Sequence, residues 1–346
     1  MIAADDALDD VALPGDPPPL GTLAERAERG DAESLVAEFA ASLTAGQAAL
    51  VCRSYDYVDE RLGLVRAFVG NHWQATVPPV RDDFYSGAQQ ALVHAIFRAL
   101  LSAEARAGRL RQLEDDGLGA RWGRHQSVAL LGDPAEGRCQ FVYSGRHVTL
   151  RADGGADPKV AFGGPVFYAH APGSYVERPD HPGNVWWHEA LAASRWLDAL
   201  PAALAARAIV DALPPEPALG FRTTIPGLPL ADVDAAQLAA AERWLDGLLA
   251  HFRARDGLRV RRCLDAQGGL RACFVQFARD GRMSAPRFDN WRLEGPAFIW
   301  HWRGFPHVHA WVHAATTPEV PVNAASGLRL YRGHDPLPQR LFPFPL

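Results

Sequence analysis

The chain has 346 residues, 48% hydrophobic and 22% charged, enough to bury one large core or two ordinary ones. A net charge of -5 and a pI near 6.2, with no cluster of basic residues interleaved with aromatics, argue against a nucleic-acid surface. No run of about 18 apolar residues offers a membrane span. The acidic opening MIAADDALDDVALPGDPPPL lacks the positive start and apolar core of a signal peptide, so no membrane partner and a cytoplasmic location are expected.

Residues 1–20 are rich in Asp and Pro and are expected to be disordered. From Thr22 to Val51 apolar residues recur at helical spacing, with a break over 42–47 and Thr44 as a candidate N-cap. Residues 53–80 read as loop. Asp83–Glu104 reads as a helix that Asp82 or Asp83 can cap, and Ser102 opens a shorter one through about Glu114. Residues 126–151 and 160–172 carry strand periodicity, broken by glycines at Gly145, Gly154, Gly155 and Gly163-Gly164. Helix returns over Trp186–Asp211, interrupted at Pro201, and over Asp232–Arg253. Residues 259–264 and 270–279 read as strands, and the Pro-rich tail from Val320 as irregular.

This order predicts an α+β protein in which helical segments alternate with antiparallel β-sheet. The expected division is a disordered acidic N-terminus (1–20), a first α+β half (21–175), a second half (176–315) and a Pro-rich tail (316–346). Faint internal echoes suggest pseudo-repeated halves: residues 85–101 resemble 233–249, each with a glutamine opening an apolar helix. Cys52, Cys139, Cys263 and Cys273 form no C-x-x-C; Cys263 and Cys273 could meet across a hairpin, but free buried thiols are the better expectation.

The densest chemistry lies in Asn290–Ala315, NWRLEGPAFIWHWRGFPHVHAWVHAA, with His301, His307, His309 and His313 among four tryptophans. Apolar runs on either side of RGFP predict a β-hairpin, and strand alternation puts His307 and His309 on one face. Two imidazoles on one face of a rigid ribbon are the beginning of a metal site. A three-residue turn pairing Arg303 with His307 would bring His301 opposite His309; a two-residue turn at Gly304-Phe305 would send it to the other face. The competing reading is a set of half-buried strand histidines bonded to backbone. If the halves are related, His147 and His170 would approach the hairpin from the first half.

Several segments resemble, in order, the uncharacterised family known as domain of unknown function 3500. They are SLTAGQAAL (42–50), NHW (71–73), AQQALVHAIFRALLS (88–102), GRHVTL (145–150), GGPVFYAHAPGSYV (163–176), EALAASRWLDAL (189–200) and RLEGPAFIWHWRGFPHVHAWVHA (292–314). The resemblance implies kinship of fold rather than a reaction. It matches His147 to the second histidine of a G-H-H motif, His307 and His309 to H-I-H, and His301 to an acidic position. Arg146 replaces the first histidine of G-H-H, a terminal W-R-D is missing, and His170 stands where many relatives have Asn or a small residue. Many relatives also carry an export signal.

The leading expectation is a metal-dependent enzyme with one ion held by His147, His307 and His309, with His301 or His170 as further ligands. Three imidazoles suit Cu, Fe or Zn. Copper or iron would imply oxidoreductase chemistry, towards which the aromatic surroundings lean, whereas those tryptophans taken alone read as core packing. Zinc would imply hydrolysis, with Glu294 or Asp289 as base; Glu294 reads equally as a turn residue. The alternative is a non-enzymatic domain binding a small molecule or peptide, with structural histidines. Asp180-His181 and His188-Glu189 could line a pocket, although His188-Glu189 at a helix start reads first as surface capping. No nucleotide-cofactor motif is present.

Overall fold

A computed structural model describes residues 22–117, 119–171, 185–279, 290–304 and 307–330, with residues 328–330 described by their backbone alone. Its helices are α1 (Leu23–Glu28), α2 (Ala32–Ser42), α3 (Ala45–Val51), α4 (Gly87–Ala99), α5 (Ala103–Asp116), α6 (Trp187–Asp198), α7 (Ala202–Ala208), α8 (Ala235–Leu249) and α9 (Ala254–Asp265). The short strands are β1 (Cys52–Arg53), β2 (Val58–Asp59), β3 (Gly63–Leu64), β9 (Ile209–Val210) and β10 (Leu228–Pro229). The longer ones are β4 (Phe68–Gln74), β5 (Gln126–Asp133), β6 (Arg138–Gly145), β7 (Val148–Ala152), β8 (Val166–His170), β11 (Phe274–Ala278), β12 (Asn290–Gly295), β13 (Phe298–Arg303), β14 (Val308–Ala314) and β15 (Asn323–Leu330). The protein is α+β, as its periodicity predicts. The expected disordered N-terminus, Asp289, Asp180-His181 and the tail beyond residue 330 lie outside the described residues.

Helix starts follow local chemistry. Thr44 caps α3 as anticipated, in a reciprocal box with Gln47. The first long helix starts later than Asp83, because Ser86 and Gln89 form the stronger capping box; Asp82 instead accepts from the Phe84 amide. Asp234 and Gln237 repeat the device in α8. The glutamines that make residues 85–101 and 233–249 look alike are therefore both third-position capping residues, and helix-start chemistry accounts for that likeness without a duplication.

The main sheet runs β1-β5-β6-β7-β8-β14-β13-β12-β11-β10, with β9 also on β11. Strands from both expected halves thus join in one sheet at β8 and β14, which pair antiparallel with Val308 opposite His170 and Ala310 opposite Tyr168. Alternation sorts the side chains. Trp291, Trp300, Trp302, Val312, Tyr168 and Leu150 face the helices and form the main core. On the other face, Val142, Phe167, Ile299 and Trp311 belong to smaller apolar clusters with residues of β4 and the segment around Leu219.

Two expectations are corrected. Residues 259–264 are not a strand but part of α9: Val260, Cys263 and Leu264 recur at helical spacing and are buried, and the alternation of L-R-V-R was too short to override that stripe. This removes the proposed hairpin approach of Cys263 to Cys273, and all four cysteines are free. The supposed loop over 53–80 contains β4, which pairs in parallel with β15 from the supposedly irregular tail. Arg151 fastens this flap by donating to the carbonyls of Phe68, Pro165 (2.9 Å) and Arg66 (3.2 Å). Among the described residues no helix is long and apolar enough to cross a membrane.

Candidate metal centre

The β13–β14 register decides which histidines meet. Arg303 lies opposite His309, and His301 opposite Trp311. Neither anticipated turn is formed; the connection is longer, so His301 keeps the face of His309 but lies one pair further along the sheet. His307 and His309 share a face and stand with Nε2 atoms 2.8 Å apart. His147 joins them from the turn between β6 and β7. Its φ of +60°, uncommon for a residue with a side chain, is fixed by its amide donating to Asn71 O at 2.9 Å.

The three ring centres lie 5.3 Å (His147–His307), 5.1 Å (His147–His309) and 4.6 Å (His307–His309) apart. An ion bonded at about 2.0–2.1 Å to three imidazole nitrogens sets ring centres roughly 4.5 Å apart at a right angle and roughly 5.2 Å at a tetrahedral one. The observed triangle falls across that range, and one ligand-type atom from each residue lies within 4.8 Å of the others.

Behind the rings stand two carboxylates. His309 Nδ1 lies 2.6 Å from Glu216 Oε2, whose carboxylate also takes Trp311 Nε1 (3.0 Å) and Arg303 Nη1 (2.7 Å). His147 Nδ1 faces Asp116 Oδ1 at 3.0 Å, a charge contact rather than a straight hydrogen bond. Asp116 is itself held by Gln112 Nε2 and the Ala171 amide, each donating at 2.7 Å. Glu216 only accepts, so His309 Nδ1 carries the proton and its Nε2 keeps the lone pair on the side of His307. Burial, reinforced by His309, His147 and Arg303, pushes the His307 pKa down to about 2. Burial and Arg303 hold His309 well below its ordinary value. These two imidazoles are neutral at physiological pH, the form that binds metal. For Asp116, burial works upward, but the charge and contact of His147 outweigh it and keep the carboxyl below its usual range.

The other expected site residues lie elsewhere. His301 is buried and accepts from Arg292 Nη1 at 3.4 Å, and burial followed by the Arg292 charge lowers its pKa to about 3. His170 has the parity of Tyr168, on the helix face of the sheet, and its Nε2 meets Asp115 at 3.1 Å. Glu294 is fully buried between Arg222 and Arg292, with Nε atoms at 2.8 and 2.9 Å, and accepts from Gln276 at 3.2 Å. That carboxylate is engaged by guanidinium groups rather than turned towards the histidines.

Sequence reasoning missed Asp116 and Glu216. The first left a signal: Asp115 and Asp116 occupy the last turn of α5, where the helix dipole disfavours negative charge, so a compensating group was to be expected there. Glu216 sits in a Pro-rich connection without periodicity. Removing the outer partner of a ligand typically lowers metal affinity about 10–100-fold. Asp116→Asn is therefore expected to weaken metal uptake by that factor with the fold intact, read by competition with a chromogenic chelator.

Fold and cluster together define an α+β protein with a three-histidine candidate metal centre at the strand ends in the middle of its main sheet. Compared with known proteins, the chain matches no family model, no curated protein and no solved structure.

Proposed function

We propose that the protein is a metal-dependent enzyme whose single first-row transition ion is held by Nε2 of His147, His307 and His309. One observation carries this reading: His147, His307 and His309 converge with one ligand-type atom each within 4.8 Å of the others, and two of the rings have Nδ1 beside a carboxylate. Three protein ligands leave a position open for water or a small molecule, the pattern of catalytic rather than structural sites. Asp116 and Glu216 are engaged with the rings, and Glu294 with arginines, so none of these carboxylates stands ready as the general base of a hydrolase. Asp289, the other candidate base, lies outside the described residues; copper or iron, with oxidoreductase chemistry on a small organic substrate, is favoured over zinc by the aromatic ring of Phe167 set against both His147 and His309.

A second reading has a specific observation behind it. The 2.8 Å between His307 and His309 is also a good hydrogen-bond length, as a ligand-binding domain with structural histidines would have.

Elemental analysis of protein purified without a metal-affinity column separates the two. About one equivalent of copper or iron at this centre, with oxygen uptake in the presence of a reducing substrate, is the expected result. Zinc that is lost in the His307→Ala/His309→Ala variant would redirect the assay to hydrolysis. Failure to hold any of the three after reconstitution would overturn the metal reading in favour of the ligand-binding domain.

A further inference from the structure

A second group of ligand-type side chains converges on the helix side of the sheet. His188 and Glu189 lie in the first turn of α6, and His251 follows the last turn of α8, 63 positions from His188 along the chain. His188 Nε2 is 2.9 Å from His251 Nε2, which is 3.0 Å from Glu189 Oε1. Ligand atoms bonded at about 2.1 Å and set at right angles around an ion are roughly 3.0 Å apart.

The arrangement is built rather than incidental. Glu189 is 1% exposed, and its Oε2 accepts from the Tyr168 hydroxyl at 2.5 Å. Tyr168 in turn accepts from Trp300 Nε1 at 3.2 Å. The carboxylate is thereby fixed with Oε1 towards the two rings, where it receives no hydrogen bond. The His251 ring meets Trp186 edge to face, with centres 5.3 Å apart. Two imidazole nitrogens aim at each other beside a buried, unsatisfied carboxylate oxygen. His251 Nε2 belongs to both close pairs, so one proton on it satisfies only one of them, whereas a cation bonded to all three atoms satisfies both.

A positive charge lies nearby. Arg109 is buried over the rings of Tyr168 (4.3 Å) and Trp186 (4.2 Å), and its guanidinium nitrogens have no hydrogen-bond partner among the described residues. Its charge and the α6 N-terminus oppose a cation, but Glu189 offsets one of them, and the exposure of His188 keeps the site in contact with water, which screens the rest.

We propose that His188, Glu189 and His251 form a second divalent-metal site, independent of the His147 centre. It would take a zinc-class ion through two Nε2 atoms and one carboxylate oxygen, with water completing the coordination on the exposed side of His188. The ion would clamp the start of α6 to the corner between α8 and α9.

The test is equilibrium dialysis of chelator-stripped, full-length protein against Zn(II) and, for its visible spectrum, Co(II). The expected result is that His188→Ala and His251→Ala each lose one equivalent, or bind it at least about tenfold more weakly, while His307→Ala/His309→Ala keeps that equivalent and loses the other. His188 is exposed, so its alanine variant is expected to fold; far-UV circular dichroism and a thermal melt check this for both. If the double variant binds as the wild type does and His188→Ala loses the sole equivalent, this site stands and the His147 centre falls. Wild-type binding by both His188→Ala and His251→Ala overturns this proposal and leaves the His147 centre to its own test. Absence of Zn(II) and Co(II) binding by the wild type overturns this proposal, while the His147 centre stands or falls by its own reconstitution with copper and iron.

Discussion

Replacing His307 and His309 together by alanine is expected to abolish metal binding at the His147 centre while leaving the sheet in place. Two of the three convergent nitrogens go, and His147 alone is a single-point ligand. The loss should exceed about 100-fold, because removing a ligand outweighs removing only its outer hydrogen-bond partner. The fold should tolerate the change. Both positions lie at the turn end of the hairpin, and Glu216 keeps Arg303 and Trp311 as partners, so no carboxylate is stranded. A surface-to-core histidine truncation of this kind costs roughly 0.5–3 kcal/mol, visible as a lowered urea midpoint with an unchanged slope. Unchanged metal content in a well-folded double variant would show that these rings hold no ion.

The second large effect is at Glu294, and it is one of stability. Glu294→Ala leaves Arg292, itself fully buried, without its carboxylate, and breaking a buried ion pair in this way typically costs about 3–5 kcal/mol. A catalytic base would behave differently: its removal would spare folding and lower turnover. We expect Glu294→Ala to unfold at much lower denaturant while its folded fraction retains metal, as read by urea titration alongside elemental analysis.

The same group gives a pH dependence of known sign. Burial tends to raise the Glu294 pKa, but hydrogen bonding from Arg222 and the charge of Arg292 outweigh it and bring it below its ordinary 4.5. A depressed carboxylate stabilises the folded state above its unfolded pKa, and the contribution is lost as pH falls through the folded value. The stability gap between wild type and Glu294→Gln should therefore hold steady above about pH 5 and narrow in more acid solution. A gap that widened there would mean that the carboxylate is not held by its arginines.

Local backbone geometry made much of this protein legible from sequence. Strand and helix periods are properties of a few consecutive residues, so they identified the α+β class, the capping role of Thr44, the strands over 126–151 and the shared face of His307 and His309. The segment over 259–264 shows the limit of that method, since a short stretch can satisfy two periods and burial decides between them. What only the tertiary structure decided depends on how distant segments meet. The length of the β13–β14 connection shifted His301 away from His309, and the strand parity of β8 put His170 on the helix face. The pairing of β4 with β15 joined two stretches that each looked irregular alone. Asp116 and Glu216 became partners of the rings, and Glu294 a partner of Arg292 and Arg222, through contacts that no local pattern encodes. A residue type names the chemistry it is capable of, but convergence on a point is set by register and chain closure, and these are properties of the whole fold.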